Sequence, residues 1–184
     1  VGKFGGIYLK DEAVELFKST YDAFGSNFFL FILTPENKDD ILTQLTTVNF
    51  PIEKVYINRV NHDEVVNYLS ASDFAFSTIK PAPSRLFCSP IKDGEYWANG
   101  LPILITKGVG DDDVIIVENQ SGIVYDVFNE SPQIASKKLV EFMANFNRND
   151  ENQRQKIVDL AIKHRSFEIN KKCYNELIKN ISLA

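Results

Sequence analysis

The stretch Ser89-Pro90-Ile91-Lys92-Asp93-Gly94-Glu95-Tyr96-Trp97-Ala98-Asn99-Gly100-Leu101-Pro102 runs straight into Ile103-Leu104-Ile105-Thr106 and reads as a short bounded helix followed by a buried strand. Ser89 is expected to cap the first free N–H groups with its hydroxyl. Pro90 is expected at the first helical position, where its missing N–H would have been unpaired anyway. Gly100 supplies a left-handed exit, and Pro102 keeps the helix from resuming. Gly94 costs about 1 kcal/mol relative to alanine inside a helix, so close backbone approach is expected there. A capped helix start with Lys92 in its first turn suits phosphate, because free N–H groups, helix dipole and ammonium all favour an anion. The chemistry is expected here.

Outward from this helix, strands and helices alternate. Val14, Phe17, Tyr21 and Phe24 recur at helical spacing and predict a helix over 11–24. Phe28 to Leu33 is a wholly apolar run and predicts a buried strand, followed by a weaker helix over 36–48. Val55-Tyr56-Ile57 predicts the next strand, ending near Arg59. Asn61 with Glu64 three places on predicts a capping box that opens a helix through Leu69. Asp73 to Ile79 reads as a strand, Lys80 to Cys88 as a proline-rich loop, Asp111 to Glu118 as a helix and Gly122 to Tyr125 as a strand. Helices from Ser131-Pro132, over 150–164 and over 167–181 complete the chain. Strands apolar throughout and alternating with helices imply an α/β domain: a Rossmann-like parallel sheet with helices on both faces. Ligands of such sheets bind beyond the carboxyl ends of the strands. The loops there begin near Gly2-Lys3, Arg59, Lys80 and Thr106.

Composition excludes several function classes. The 184 residues are 44 % apolar and 24 % charged, ordinary for one globular domain, and the net charge is −5 with both signs interspersed. That argues against nucleic acid as the main partner. No apolar run reaches the ~18 residues of a membrane span, and no signal-peptide pattern opens the sequence. Cys88 and Cys173 are too few for a disulfide framework and fit a reducing compartment, so a cytoplasmic location is expected. His62 and His164 lie far apart and form no metal-ligand cluster. Met143 is the only methionine, and Gly2-Lys3-Phe4-Gly5-Gly6 looks like the end of a strand with its following loop. The expectation is one domain over 1–184, preceded in the whole protein by an absent N-terminal part.

Pro83-Ser84, then Ser89 to Glu95, Ala98, Gly100 and Pro102 resemble the donor-binding signature of GT-B glycosyltransferases of the family 4 type. The resemblance implies the C-terminal, nucleotide-sugar-binding lobe of such an enzyme, here over the whole chain. It implies transfer of a sugar from a nucleotide diphosphate sugar to a glycan or lipid-linked acceptor held by the absent lobe. It also implies retention of configuration, no metal and no cofactor beyond the donor. Polysaccharide biosynthesis and peripheral contact of the full enzyme with the inner membrane face fit the same family. The family's second glutamate falls on Glu95, which would accept the ribose hydroxyls as an acceptor-only carboxylate. Phe87 stands where its first glutamate would. The family's phosphate-binding arginine matches Lys3, and Tyr8 occupies the place of a second lysine. Lys92 and the N–H groups at Ser89 would add positive potential against the leaving diphosphate.

Other motifs carry less. Lys92 and Glu95, three apart on a helix, could instead form a surface ion pair. Arg59 borders the base or lies in solvent. Gly108 and Gly110 form a loop able to admit sugar or diphosphate. Asp111-Asp112-Asp113 is read as capping a helix start rather than as a metal site. Cys88 has no nearby histidine and is not expected to act as a nucleophile. Trp97 and Tyr96 are expected to pack. The alternatives are a GT-B-fold sugar-nucleotide epimerase and a non-catalytic Rossmann-like domain. The isolated chain is expected to bind nucleotide weakly and to transfer no sugar.

Overall fold

A computed structural model of the chain describes residues 1–182. In chain order the elements are α1 (Asp11–Phe24), β1 (Leu30–Leu33), α2 (Lys38–Thr47), β2 (Val55–Asn58), α3 (His62–Ala71) and β3 (Ala75–Ser77). They continue with α4 (Ile91–Ala98), β4 (Ile103–Thr106), α5 (Asp112–Asn119), β5 (Gly122–Tyr125), α6 (Pro132–Asn145), α7 (Glu151–Arg165) and α8 (Phe167–Ser182).

Every strand pair is parallel, and the α/β class is as expected. Leu30 lies opposite Val55, Ala75 opposite Ile103, and Ile103 opposite Gly122. The ladder is divided, however: β1–β2 form one sheet and β3–β4–β5 another. Apolar runs report burial on both faces but say nothing about which edges meet, so the division is invisible in the sequence. β4 is buried along its whole length. Ile103 and Ile105 pack with Tyr96, Trp97, Ile116, Ile157 and Leu160 on one side. Leu104 packs with Leu16, Tyr125, Ala135 and Leu139 on the other. A third cluster joins Val14 and Phe17 of α1 to Leu30, Ile32 and Ile57, with Ile41 and Leu45 of α2.

Helix ends follow local chemistry. The predicted Asn61–Glu64 capping box forms, with Glu64 Oε2 accepting the Asn61 N–H at 2.9 Å. Asn37 Oδ1 caps α2 through Asp39 N at 2.8 Å, and Asp150 caps α7. At α4 the expectation is corrected by one residue: Pro90 itself is the extended N-cap, and no side chain caps the helix. Proline disfavours helical backbone in the residue before it, which keeps Ser89 outside. Gly100 leaves the helix at φ 68°, as expected.

Gly94 is explained by a neighbouring helix rather than by a ligand. A Cβ there would sit 2.9 Å from Cγ and 3.1 Å from Cβ of Arg165, the last residue of α7. These atoms are close to the α7 backbone and cannot swing away. Gly94→Ala would gain about 1 kcal/mol of helix preference and lose more by overpacking, so a net loss of about 1–2 kcal/mol is expected. Thermal unfolding of the variant checks it. Among the described residues no helix is long and apolar enough to cross a membrane.

Candidate functional site

A cavity of about 910 Å³ runs between β1 and β3, lined by residues 27–33 and 71–79. Its lining also includes Gly2 and Lys3 of the opening loop, Ser89 and Pro90 before α4, and Lys92 in the first turn of α4. The opening loop is pinned in place. Gly2 N–H donates to the Leu33 carbonyl at 2.9 Å, and Phe4 N–H donates to Glu36 Oε1 at 3.1 Å. Tyr8 bridges in the antiparallel sense to Ile79.

Lys92 does not pair with Glu95. Its Nζ donates to the Tyr8 hydroxyl at 3.0 Å and lies 4.4 Å from the centre of the Tyr8 ring. Its Nζ also stands where a Cβ on Gly2 would be, but what favours glycine there is the backbone, at φ 136°. Glu95, on the next part of the helix, has its carboxylate 3.7 Å from His62 Nε2 and keeps 30 % of its side chain exposed. Its oxygens therefore remain open to a further donor. The Val1 nitrogen donates to the Tyr96 hydroxyl at 3.1 Å.

Lys3, Ser89 and Lys92 line the same cavity, whereas Glu95, one turn from Lys92, lies outside its lining. Arg59 is exposed in the loop after β2, where Asn58 Oδ1 accepts its backbone N–H. Gly108 and Gly110 lie outside the cavity lining, in the loop after β4. Both have left-handed backbone. Gly110 N–H donates to the Arg85 carbonyl at 2.8 Å, and its α-carbon abuts the Cys88 carbonyl. The glycine loop thus braces the proline-rich loop. Phe87 is 91 % exposed, directly before the cavity-lining Cys88. Trp97 and Tyr96 pack in the core, as expected.

The aspartate run caps the helix start only through Asp113, whose Oδ1 accepts the first-turn Val114 N–H at 2.8 Å. Asp111 is the N-cap residue but makes no side-chain capping bond, and Asp113 Oδ2 also accepts Gly108 N–H at 2.8 Å. Asp112 is fully buried and pairs with Arg165. No group of three or more metal-binding side chains occurs among the described residues.

Beneath α4 lies a cluster that sequence reasoning missed: Asp93, Asp112 and Arg165, with Arg165 also 5.5 Å over the Trp97 ring. Both oxygens of Asp93 are buried, with Ser77 and Asp112 beside them. Burial, reinforced by Asp112, pushes the Asp93 carboxyl up to about 8, while Ser77 and Arg165 pull the other way. Asp112 is raised too, by burial, against the pull of Arg165. A carboxyl whose folded pKa exceeds its unfolded value holds its proton more tightly when folded. Its contribution is therefore complete at low pH and is lost as pH rises from about 4 to about 8. Asp93→Asn is expected to flatten that fall and to raise Tm at pH 9 by about 3 °C or more, read by thermal unfolding across pH. The signals available in the sequence were Gly94, which demanded a close neighbour, and the lone Asp93 on an otherwise apolar helix face.

Among solved structures, the chain is similar to the catalytic domain of cholesterol-α-glucosyltransferase from Helicobacter pylori, with a TM-score of 0.60. The match covers 89 % of this chain and 96 % of that one, at 11 % sequence identity. The two share a fold. No family model and no curated protein matches the chain.

Proposed function

We propose that this chain is the donor-binding domain of a GT-B glycosyltransferase of the family 4 type, binding a nucleotide diphosphate sugar at the carboxyl ends of its strands. The observation that carries the proposal is that Lys3, Ser89 and Lys92 line one cavity, with the partly exposed carboxylate of Glu95 on the same helix as Lys92. The shared fold with a glucosyltransferase catalytic domain supports it.

Lys3 and Lys92 would hold the diphosphate, and Glu95 would accept both ribose hydroxyls. Tyr8, which takes the place of the family's second lysine, receives the Lys92 ammonium at 3.0 Å, so positive charge returns to that point from α4. As the glycosidic bond breaks, negative charge grows on the diphosphate. Fixed cations lining a partly dry cavity then stabilise the transition state more than the ground state. The acceptor, a glycan or lipid-linked sugar, would be held by another lobe, and no metal is required.

Phe87, exposed where a donor-contacting glutamate would stand, favours one other reading: a domain that kept the fold and lost the site. Amide chemical-shift mapping with UDP, GDP and ADP separates the two. Shifts confined to Gly2–Phe4 and Ser89–Glu95 are expected for one of the nucleotides. Shifts scattered over the surface, or none, would leave the degenerate domain.

A further inference from the structure

Glu95 is faced from a second helix. His62, the first residue of α3, brings its Nε2 to 3.7 Å from Glu95 Oε1. That is wider than hydrogen-bond contact, which needs about 2.7–3.2 Å. The imidazole is 87 % exposed and is free to turn. The backbone that carries it is held. Asn61 and Glu64 box the start of α3, Asn58 Oδ1 accepts the Arg59 N–H at 2.9 Å, and Asn58 Nδ2 donates to the Tyr56 hydroxyl at 2.8 Å. The contact with Glu95 therefore opens or closes by rotation of the imidazole, with no shift of the loop. Other charges nearby are engaged or turned away. Glu64 Oε2 accepts the Asn61 N–H, and Asp63 follows His62 directly, where neighbouring helical residues do not face each other. Arg59 is exposed in the loop before α3. On the Glu95 side, Lys92 donates to the Tyr8 hydroxyl and the Val1 nitrogen to the Tyr96 hydroxyl.

We propose that His62 is a positioning residue of the nucleotide site: as imidazolium it holds the Glu95 carboxylate away from the ribose hydroxyls, and as neutral imidazole it releases it, so that donor binding expels a proton and tightens as pH rises. The inference rests on the donor-binding reading of Glu95. A ribose diol needs both carboxylate oxygens as acceptors, and an imidazolium drawn in across the 3.7 Å gap takes one of them. The neutral ring has lost the Coulomb attraction and leaves both free. Histidine suits this task because its charge ordinarily changes between pH 5 and 8. Linkage fixes the sign: a ligand that favours the deprotonated form releases the proton to solvent on binding, and loss of that proton raises affinity by the same factor. The factor is small, because the pair is exposed and water competes for both partners.

The test is calorimetric titration of the chain and of His62→Gln with UDP-glucose, GDP-mannose and ADP-glucose at pH 5.5 and pH 7.5, in low salt so that screening does not mask the pair. These sugar diphosphates keep one charge over that range, so the ligand contributes no titration of its own. The donor that binds most tightly is expected to bind about two- to fivefold more weakly at pH 5.5, the worth of an exposed ion pair. It is also expected to release protons at pH 6, seen as heats that differ between buffers of different ionisation enthalpy. His62→Gln keeps a polar side chain without the charge and is expected to show neither effect. Asp93, raised to about 8 by burial, is present in both proteins and cancels in the comparison. As a second measurement, the His62 imidazole resonance of the unaltered chain is expected to titrate at lower pH with donor bound than without. Equal affinity at the two pH values, or a dependence that His62→Gln retains, would overturn the proposal and leave the donor site standing. Tighter binding at pH 5.5 that His62→Gln loses would overturn it as well, by assigning the imidazolium to the diphosphate. Saturable binding of none of the three donors would overturn the donor-binding reading and this inference with it.

Discussion

Arg165→Ala is expected to cost about 3–5 kcal/mol at pH 8, a fall in Tm of roughly 10 °C. The size follows from what the guanidinium touches. Arg165 pairs with Asp112, which is fully buried at the start of α5, covers the Trp97 ring and fills the space over Gly94. Removing it leaves an uncompensated buried carboxylate and a gap between α4 and α7. Burial already favours the neutral form of Asp112. The variant can therefore take up a proton there at lower pH, and its deficit is expected to shrink at pH 5. Unfolding curves at both pH values check this. An equal loss at the two would mean that packing over Trp97, not the ion pair, dominates.

The second large effect is on nucleotide affinity. Glu95→Ala and Lys92→Ala are each expected to weaken binding of the preferred nucleotide about 10- to 100-fold, the range for a lost hydrogen bond to a charged group. Lys3→Ala acts in the same direction and more weakly, because its side chain is exposed in a loop. Tm should barely move for Glu95→Ala, since its carboxylate is partly exposed and its 3.7 Å approach to His62 is loose. Calorimetric titration of each variant beside its unfolding curve separates lost binding from lost fold.

Most elements were legible because their chemistry is local. Asn61 and Glu64 announced α3, Gly100 ended α4, and the runs around Leu30, Ile57, Phe76 and Leu104 announced parallel strands. What escaped the sequence was set by distant partners. Gly94 signalled close approach, but only the packing of α7 on α4 shows that Arg165 makes it. The three aspartates were read as one capping run, yet tertiary position gives them separate fates, with Asp112 buried against Arg165 and Asp113 holding Gly108. The site was legible in part. Lys3, Ser89, Lys92 and Glu95 follow from a local pattern. The turn of Lys92 to Tyr8 and of Glu95 to His62 depends on how the opening loop and α3 reach the same sheet end.

Isothermal titration of the chain with UDP, GDP and ADP, each with and without EDTA, tests the donor-binding account most directly. The account predicts weak, saturable binding of one nucleotide that EDTA leaves unchanged and that Glu95→Ala weakens about 10- to 100-fold. Absence of saturable binding to all three at millimolar concentration, or binding that requires a divalent cation, would contradict it.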